Sequence, residues 1–170
     1  MRAVLWVFFG PGVLGCLGHG GVGAKMDSEA HLDFQPVSFG KYLLLQKIGS
    51  GGMAEIYRAK AFGPHDFVKE YAIKKILPHL IDDEEFMTMF IDEARIAVNL
   101  QHANIVQVFD LGAINRQSYI AMEYVQGRDL LELLARCDAR GVRRPLKLAL
   151  CSVMEVRKGL EYAHRARDRK

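Results

Sequence analysis

The 170-residue chain is 50% hydrophobic and 25% charged, which is the composition of a globular domain and excludes a disordered tail. Its 23 basic and 20 acidic residues are largely interspersed and leave a net charge of +3, giving no electrostatic case for nucleic acid or a membrane surface as partner. Three widely spaced cysteines, Cys16, Cys137 and Cys151, and six scattered histidines carry no metal-ligand spacing, so neither a disulfide framework nor a metal cluster is expected.

The first 25 residues differ in kind from the rest. One early Arg, an apolar stretch from Ala3 to Phe9 and a glycine-rich tail resemble a short signal peptide, too broken by Gly and Pro to span a bilayer. The competing reading is that translation begins at Met26 and the preceding residues are an over-extended start. That reading makes the protein cytoplasmic.

Regular patterning begins near Lys41. Residues 41–48 and 54–60 read as two strands joined by "GSGGM", and "EYAIKKI" at 70–76 as a third that ends before Pro78. Asp82 with Glu85 three residues on reads as a capping box. It opens a helix whose inner stripe runs through Phe86, Met89, Phe90, Glu93, Ala97 and Leu100. Strands at 105–111 and 118–125 follow, turning near Asn115, and then helices at 129–138 and 146–164, the second with Leu146, Leu150, Val153, Leu160 and Ala163 along one face. The basic clusters at 140–144 and at "HRARDRK" read as solvated surface.

The glycine turn decides the chemistry. Gly49, Gly51 and Gly52 are followed by a strand, whereas a dinucleotide fingerprint needs a helix there and a Walker loop needs Gly-Lys-Ser/Thr. What remains is a glycine hairpin with no Cβ to keep backbone amides from a phosphate, set against the plain reading of a pliable turn. Ala72 and Lys74 share a face of the third strand, which suits an adenine over the small residue and phosphates at the lysine; a lysine at an exposed strand edge is the alternative, with Lys75 on the opposite face as comparison. Glu93 falls inside an apolar stripe, where a carboxylate needs a cation, and Lys74 is the candidate; a rim glutamate reaching water is the alternative.

Taken together, "IGSGGMAEIY", "YAIK", "FIDEARIAVNLQHANIVQVFDLG" and "YIAMEYVQGRDL" resemble, in this order, the amino-terminal half of the eukaryotic-like Ser/Thr protein kinases of bacteria. The resemblance implies an α+β fold, a small lobe with a five-stranded antiparallel sheet and one helix, followed by the first helices of a large lobe. It implies a leader at 1–38, the small lobe with its hinge at 39–125 and the start of the large lobe at 126–170. Its cofactors are ATP and Mg2+, and its protein partner carries Ser or Thr.

Residue by residue, the resemblance places the loop Gly49, Ser50, Gly51, Gly52, Met53 and Ala54 over the phosphates through the amides of Ser50 to Ala54. Lys74 then holds the α and β phosphates and Glu93 orients it. Ile48, Ile56 and Ala72 roof the adenine, Met122 is the gatekeeper, the Glu123 carbonyl and Val125 amide read the base edge, and Asp129 meets the ribose. Ala54 stands where the family has a third glycine. The family's His-Arg-Asp…Asn and Asp-Phe-Gly motifs, which carry the proton acceptor and the Mg2+ ligands, do not occur in the 170 residues, and "HRARD" has the wrong spacing for the first. No metal ligand is therefore assigned within the chain. A His-Arg-Asp-type loop is expected shortly after "YAH" at 162–164 if the reading frame continues; a nucleotide-binding module that does no chemistry is the alternative.

Overall fold

A computed structural model describes residues 34–143 and 146–167. The signal-like leader, the Met26 start and Cys16 lie outside the described residues. Six antiparallel strands form one sheet: β1 (Val37–Phe39), β2 (Tyr42–Ser50), β3 (Ala54–Phe62), β4 (Val68–Ile76), β5 (Val108–Ile114) and β6 (Gln117–Glu123), in the order β1-β2-β3-β4-β6-β5. Helix α1 (Glu84–Val98) follows a 3₁₀ turn at Pro78–Leu80, and α2 (Leu130–Ala139) and α3 (Leu146–Arg167) close the chain. The described residues form two compact units. One holds residues 34–98 and Val108–Tyr124, and so the whole sheet with α1; the other holds Asn99–Gln107 and the residues from Val125 onward.

The sheet has one strand more than the five expected. β1 pairs with the start of β2 through a turn at Gly40, whose φ of +56° favours glycine, while a Cβ there would stand 2.6 Å from Ile114 Cδ1 and press on the end of that side chain. Three residues are too few to show a period, which is why β1 escapes a reading by alternation, and it starts inside the segment assigned to the leader. Phe39 from β1 joins Tyr42, Leu44, Tyr57, Ala59, Ile73, Tyr119 and Ala121 in an apolar cluster on one face of the sheet. Lys75 also stands on that side, its Nζ 4.8 Å from the ring centroid of Phe39 and 5.3 Å from that of Tyr57, so it is no exposed comparison for Lys74.

Other boundaries shift for local reasons. α1 begins one residue later than expected, because Asp83 rather than Asp82 is the cap: its Oδ1 accepts the Phe86 N–H at 3.0 Å. The inner stripe of α1 is Phe90 and Ala94, with Met89 exposed and Leu100 beyond the helix end. β5 starts at Val108 rather than 105; Ile105 and Val106 are buried, but Ile105 forms only an isolated bridge, its N–H bonding to His102 O across a turn, and the continuous ladder begins at Val108. β6 ends at Glu123, opposite Tyr71, two residues short of the expected limit. The β5–β6 connection is a two-residue turn at Asn115 and Arg116, both at positive φ, which matches the twist of a tight hairpin.

In the helical unit, Asn104 is buried and donates through Nδ2 to Glu155 O at 2.9 Å and Glu155 Oε2 at 2.7 Å, and Gly159 of α3 sits against the Asn104 backbone. Leu146, Leu150 and Val153, on the apolar face of α3, are exposed.

Asp110 on β5 ties three strands together. Its Oδ2 accepts from Lys41 Nζ at 2.7 Å, Tyr42 OH at 3.2 Å and Tyr119 OH at 3.2 Å. The hydrogen bond from Lys41 holds the carboxyl below its usual pKa of 3.8, partly opposed by desolvation. A carboxyl whose pKa is lower folded than unfolded stabilises the fold above the unfolded value, and that contribution is lost as pH falls through the folded value. Asp110→Asn is therefore expected to lower stability at neutral pH and to flatten the acid limb of the stability curve. Urea unfolding of both proteins at neutral and strongly acidic pH checks this, and an unchanged acid limb would contradict it.

Candidate active site

Strand register assembles the site on the face of the sheet opposite the aromatic cluster. Ile56 pairs with Lys74 and Lys74 with Ile120; one step along, Arg58 pairs with Ala72 and Ala72 with Met122. Alternation therefore puts Ile56, Ala72, Lys74 and Met122 on one face. Ala72 and Met122 are fully buried, Ile56 and Lys74 partly so. Ile48, expected in the same roof, is 41% exposed at the rim.

α1 lies against this face. The Lys74 ammonium is 5.6 Å from the ring centroid of buried Phe90, and Glu93 follows Phe90 by three residues, on the same side of the helix. Lys74 and Glu93 are both half-buried, and each feels the other's charge. Burial pushes the Lys74 pKa below its usual value, and the Glu93 carboxylate pulls it part of the way back. Burial pushes the Glu93 pKa up, and Lys74 draws it part of the way down. On both groups desolvation is the larger effect, so the pair leaves an electrostatic cost that an anion reaching Lys74 would offset.

The turn between β2 and β3 occupies only residues 51–53, with Gly49 and Ser50 still on β2, opposite Ile56 and Glu55. The Gly51 N–H donates to Ala54 O at 2.9 Å, so that amide is closed within the turn, unlike the expectation for residues 50–54 as a whole. Met53 O accepts the Leu77 N–H at 3.1 Å, and Lys47 pairs with Glu55 at 2.6 Å, anchoring both arms of the hairpin. None of Gly49, Gly51 and Gly52 has positive φ. A Cβ built on Gly52 would meet nothing within 4 Å, and one on Gly51 only Ala54 O at 4.0 Å. A Cβ on Gly49 would make ordinary contact with Ile56 at 3.6 Å; the fold itself thus has no need of these glycines, which cost chain entropy, and the space above Gly51 and Gly52 is open.

Glu123 is the last residue of β6 in the ladder. Val125 and Asp129 fall in the helical unit. There Asp129 caps α2, its Oδ1 accepting the Glu132 N–H at 2.7 Å. A set of residues beside the site went unread in the sequence: Arg58, Glu70 and Tyr124. The period of 2 was the available signal, since Arg58 is two residues past Ile56 and Glu70 two before Ala72. Among the described residues no group of three or more His, Cys, Asp or Glu side chains converges to hold a metal ion, and no helix is long and apolar enough to cross a membrane.

A sheet with this strand order, a lysine on its third long strand and a helix bearing a glutamate against that lysine define the small lobe of a protein kinase, and the chain belongs to that family: the protein kinase domain model matches residues 42–167. Among curated relatives, it is 40% identical over 126 residues to the tyrosine-protein kinase MasK of Myxococcus xanthus and 38% identical over 127 residues to the serine/threonine-protein kinase PrkC of Bacillus subtilis. Each match covers 74% of this chain but only 20% and 18% of those proteins, so the chain spans about a fifth of their length. Among solved structures, the kinase domain of PknI from Mycobacterium tuberculosis superposes with a TM-score of 0.62 at 30% identity, over 79% of this chain and 52% of that one. The fold is accordingly that of a kinase small lobe followed by early large-lobe helices.

Proposed function

We propose that the chain is the ATP-binding part of a protein kinase that transfers the γ-phosphoryl group of ATP to Ser or Thr hydroxyls of a protein. The observation that carries this reading is Lys74: a half-buried cation on the same sheet face as Ala72 and Ile56, one strand from a glycine hairpin whose glycines the fold does not itself require. In this reading the hairpin from Gly49 to Ala54 covers the phosphates, Lys74 holds the α and β phosphates, and Glu93 keeps the ammonium charged and oriented. Ile48, Ile56 and Ala72 roof the adenine above Met122, and the Glu123 carbonyl, the Val125 amide and Asp129 meet the base edge and ribose. Residues 39–125, joined by Val37 and Ser38 of β1, act as the small lobe with its hinge, 126–170 as the beginning of the large lobe and the residues before β1 as a leader, in a cytoplasmic protein.

Mg2+ would neutralise charge on the phosphates in the complete kinase, but its family ligands lie in motifs that the 170 residues do not contain, and no step is assigned to it. The acceptor class follows the family resemblance; relatives at similar identity carry both serine/threonine and tyrosine kinase names. The reading is tested by titrating the chain with a fluorescent ATP analogue. Saturable binding that unlabelled ATP reverses is expected, and a folded chain that binds none would contradict it.

A further inference from the structure

The two arms of the glycine hairpin are joined by side chains on the side of the sheet away from Lys74. Alternation along β3 puts Ala54 and Ile56 on the face of Lys74, and Glu55 and Tyr57 on the face of the aromatic cluster. There the Glu55 carboxylate accepts from two donors. Lys47 Nζ, from the β2 arm, bonds its Oε1 at 2.6 Å, and the hydroxyl of buried Tyr57 bonds its Oε2 at 2.7 Å. The hydrogen bonds from Lys47 and then Tyr57 hold the Glu55 carboxyl below its usual pKa, against desolvation, so it is ionised at neutral pH. Burial, helped by Glu55, pushes the Tyr57 hydroxyl up to about 12, so it keeps its proton and remains a donor. One oxygen of Glu55 is thus attached to the apolar cluster and the other to the opposite strand.

The backbone at this point is interrupted. The β2–β3 register shifts between Lys47 and Gly49, and past that irregularity two pairs remain in the ladder, Gly49 with Ile56 and Ser50 with Glu55. Gly49, Gly51 and Gly52 add conformational freedom to the same stretch. Lys47 lies on one side of the shift and Glu55 pairs on the other, so their bond spans the break. We propose that Glu55, bonded to Lys47 and Tyr57, positions the glycine hairpin over the phosphates of the nucleotide and so supports affinity for the triphosphate rather than for the nucleoside. Lying on the opposite face, the link takes none of the room of the ligand; it reduces the chain entropy lost when the hairpin closes on phosphates. The inference rests on the proposed nucleotide site, and Glu55 and Lys47 act in it as positioning residues with no contact to the ligand required.

The test is displacement of a fluorescent ATP analogue from the 170-residue chain by ATP and by adenosine, in wild type, Glu55→Gln, Lys47→Met and the double variant Lys47→Glu, Glu55→Lys. Glu55→Gln is expected to lower the ratio of ATP to adenosine affinity about three- to tenfold, the size of a partly exposed ion pair with one further hydrogen bond. The sign is diagnostic. Glu55→Gln removes a negative charge from the hairpin, so a pair that acted by charge alone would let ATP bind more tightly, whereas loss of positioning weakens it. Lys47→Met is expected to lower the ratio similarly, and the double variant, which restores an ion pair across the arms, to recover most of it. A role confined to stability would move the melting temperature and leave the ratio alone. An unchanged or raised ratio in folded Glu55→Gln overturns the inference; if that variant does not fold, failure of the double variant to recover the ratio lost in Lys47→Met overturns it instead. Wild type that binds ATP in a Lys74-dependent way while the variants keep its ratio removes this inference only; wild type that binds neither ligand removes the site and the inference with it.

Discussion

Lys74→Met is expected to weaken ATP binding by tenfold to about a hundredfold while leaving the chain folded. The size follows from the loss of a hydrogen bond between charged partners, worth roughly 1.5–3 kcal/mol, at about 1.4 kcal/mol per factor of ten. Folding is expected to survive because Lys74 carries a desolvation cost, its pKa already pushed down by burial, and Met is an apolar side chain of similar length that packs well beside Phe90. The one group left worse off is Glu93, whose carboxyl pKa burial has raised and whose countercharge the mutation removes. Glu93 is therefore expected to titrate higher in the variant than in wild type. Equal ATP affinity in two equally folded proteins would remove Lys74 from the phosphate site.

The second large effect is an absence of chemistry: the 170-residue chain by itself is expected to transfer phosphate at least about a thousandfold more slowly than a complete kinase domain. In the family the proton acceptor and Mg2+ ligands reside on motifs that these residues do not include, and losing such groups typically costs several powers of ten. Lys74 and Glu93 position a nucleotide; they supply neither a base nor a metal clamp. Incubating the homogeneous chain with radiolabelled ATP and a generic protein acceptor measures this directly. Label incorporated at a rate ordinary for kinases would show that another group in the chain performs the transfer, and the assignment of roles would have to be redrawn.

The site was legible in sequence to the extent that it lies on regular strands. A period of 2 suffices to put Ala72 and Lys74 on one face, and the register adds Ile56 and Met122 to the same face. The helix bearing Glu93 was legible from its spacing, and Phe90 of the expected stripe faces inward, but buried Ala94 was missed and Met89 is exposed, because a stripe of mixed Met and Phe fits two adjacent phases of a 3.6-residue period. The misplacement of the cap by one residue has the same origin in short-range ambiguity. Asp82 and Asp83 are chemically equivalent, and only the preceding turn, in which the Asp83 N–H bonds to Leu80 O, chooses between them.

Pairing that depends on distant segments was not legible. β1 is three residues long and exists because Gly40 reverses the chain beside Ile114; nothing within those three residues announces a strand. Likewise Asp110 was read as part of a strand motif, while its three donors come from residues 41, 42 and 119. Arg58 and Glu70 drew no reading from the sequence. Only register brings them together beside Tyr124.

Where the ligand sits is the central claim, and amide-resolved NMR of the isotope-labelled chain during an ATP titration tests it most directly. The largest shift changes are expected at residues 49–54, at Ala72 to Lys74 and at Met122 to Glu123, saturating together with one dissociation constant, and they are expected to shrink sharply in Lys74→Met at the same ATP concentration. Saturable changes confined to the helices after Asp129, with the glycine hairpin and Lys74 unmoved, would place any nucleotide elsewhere and contradict the account.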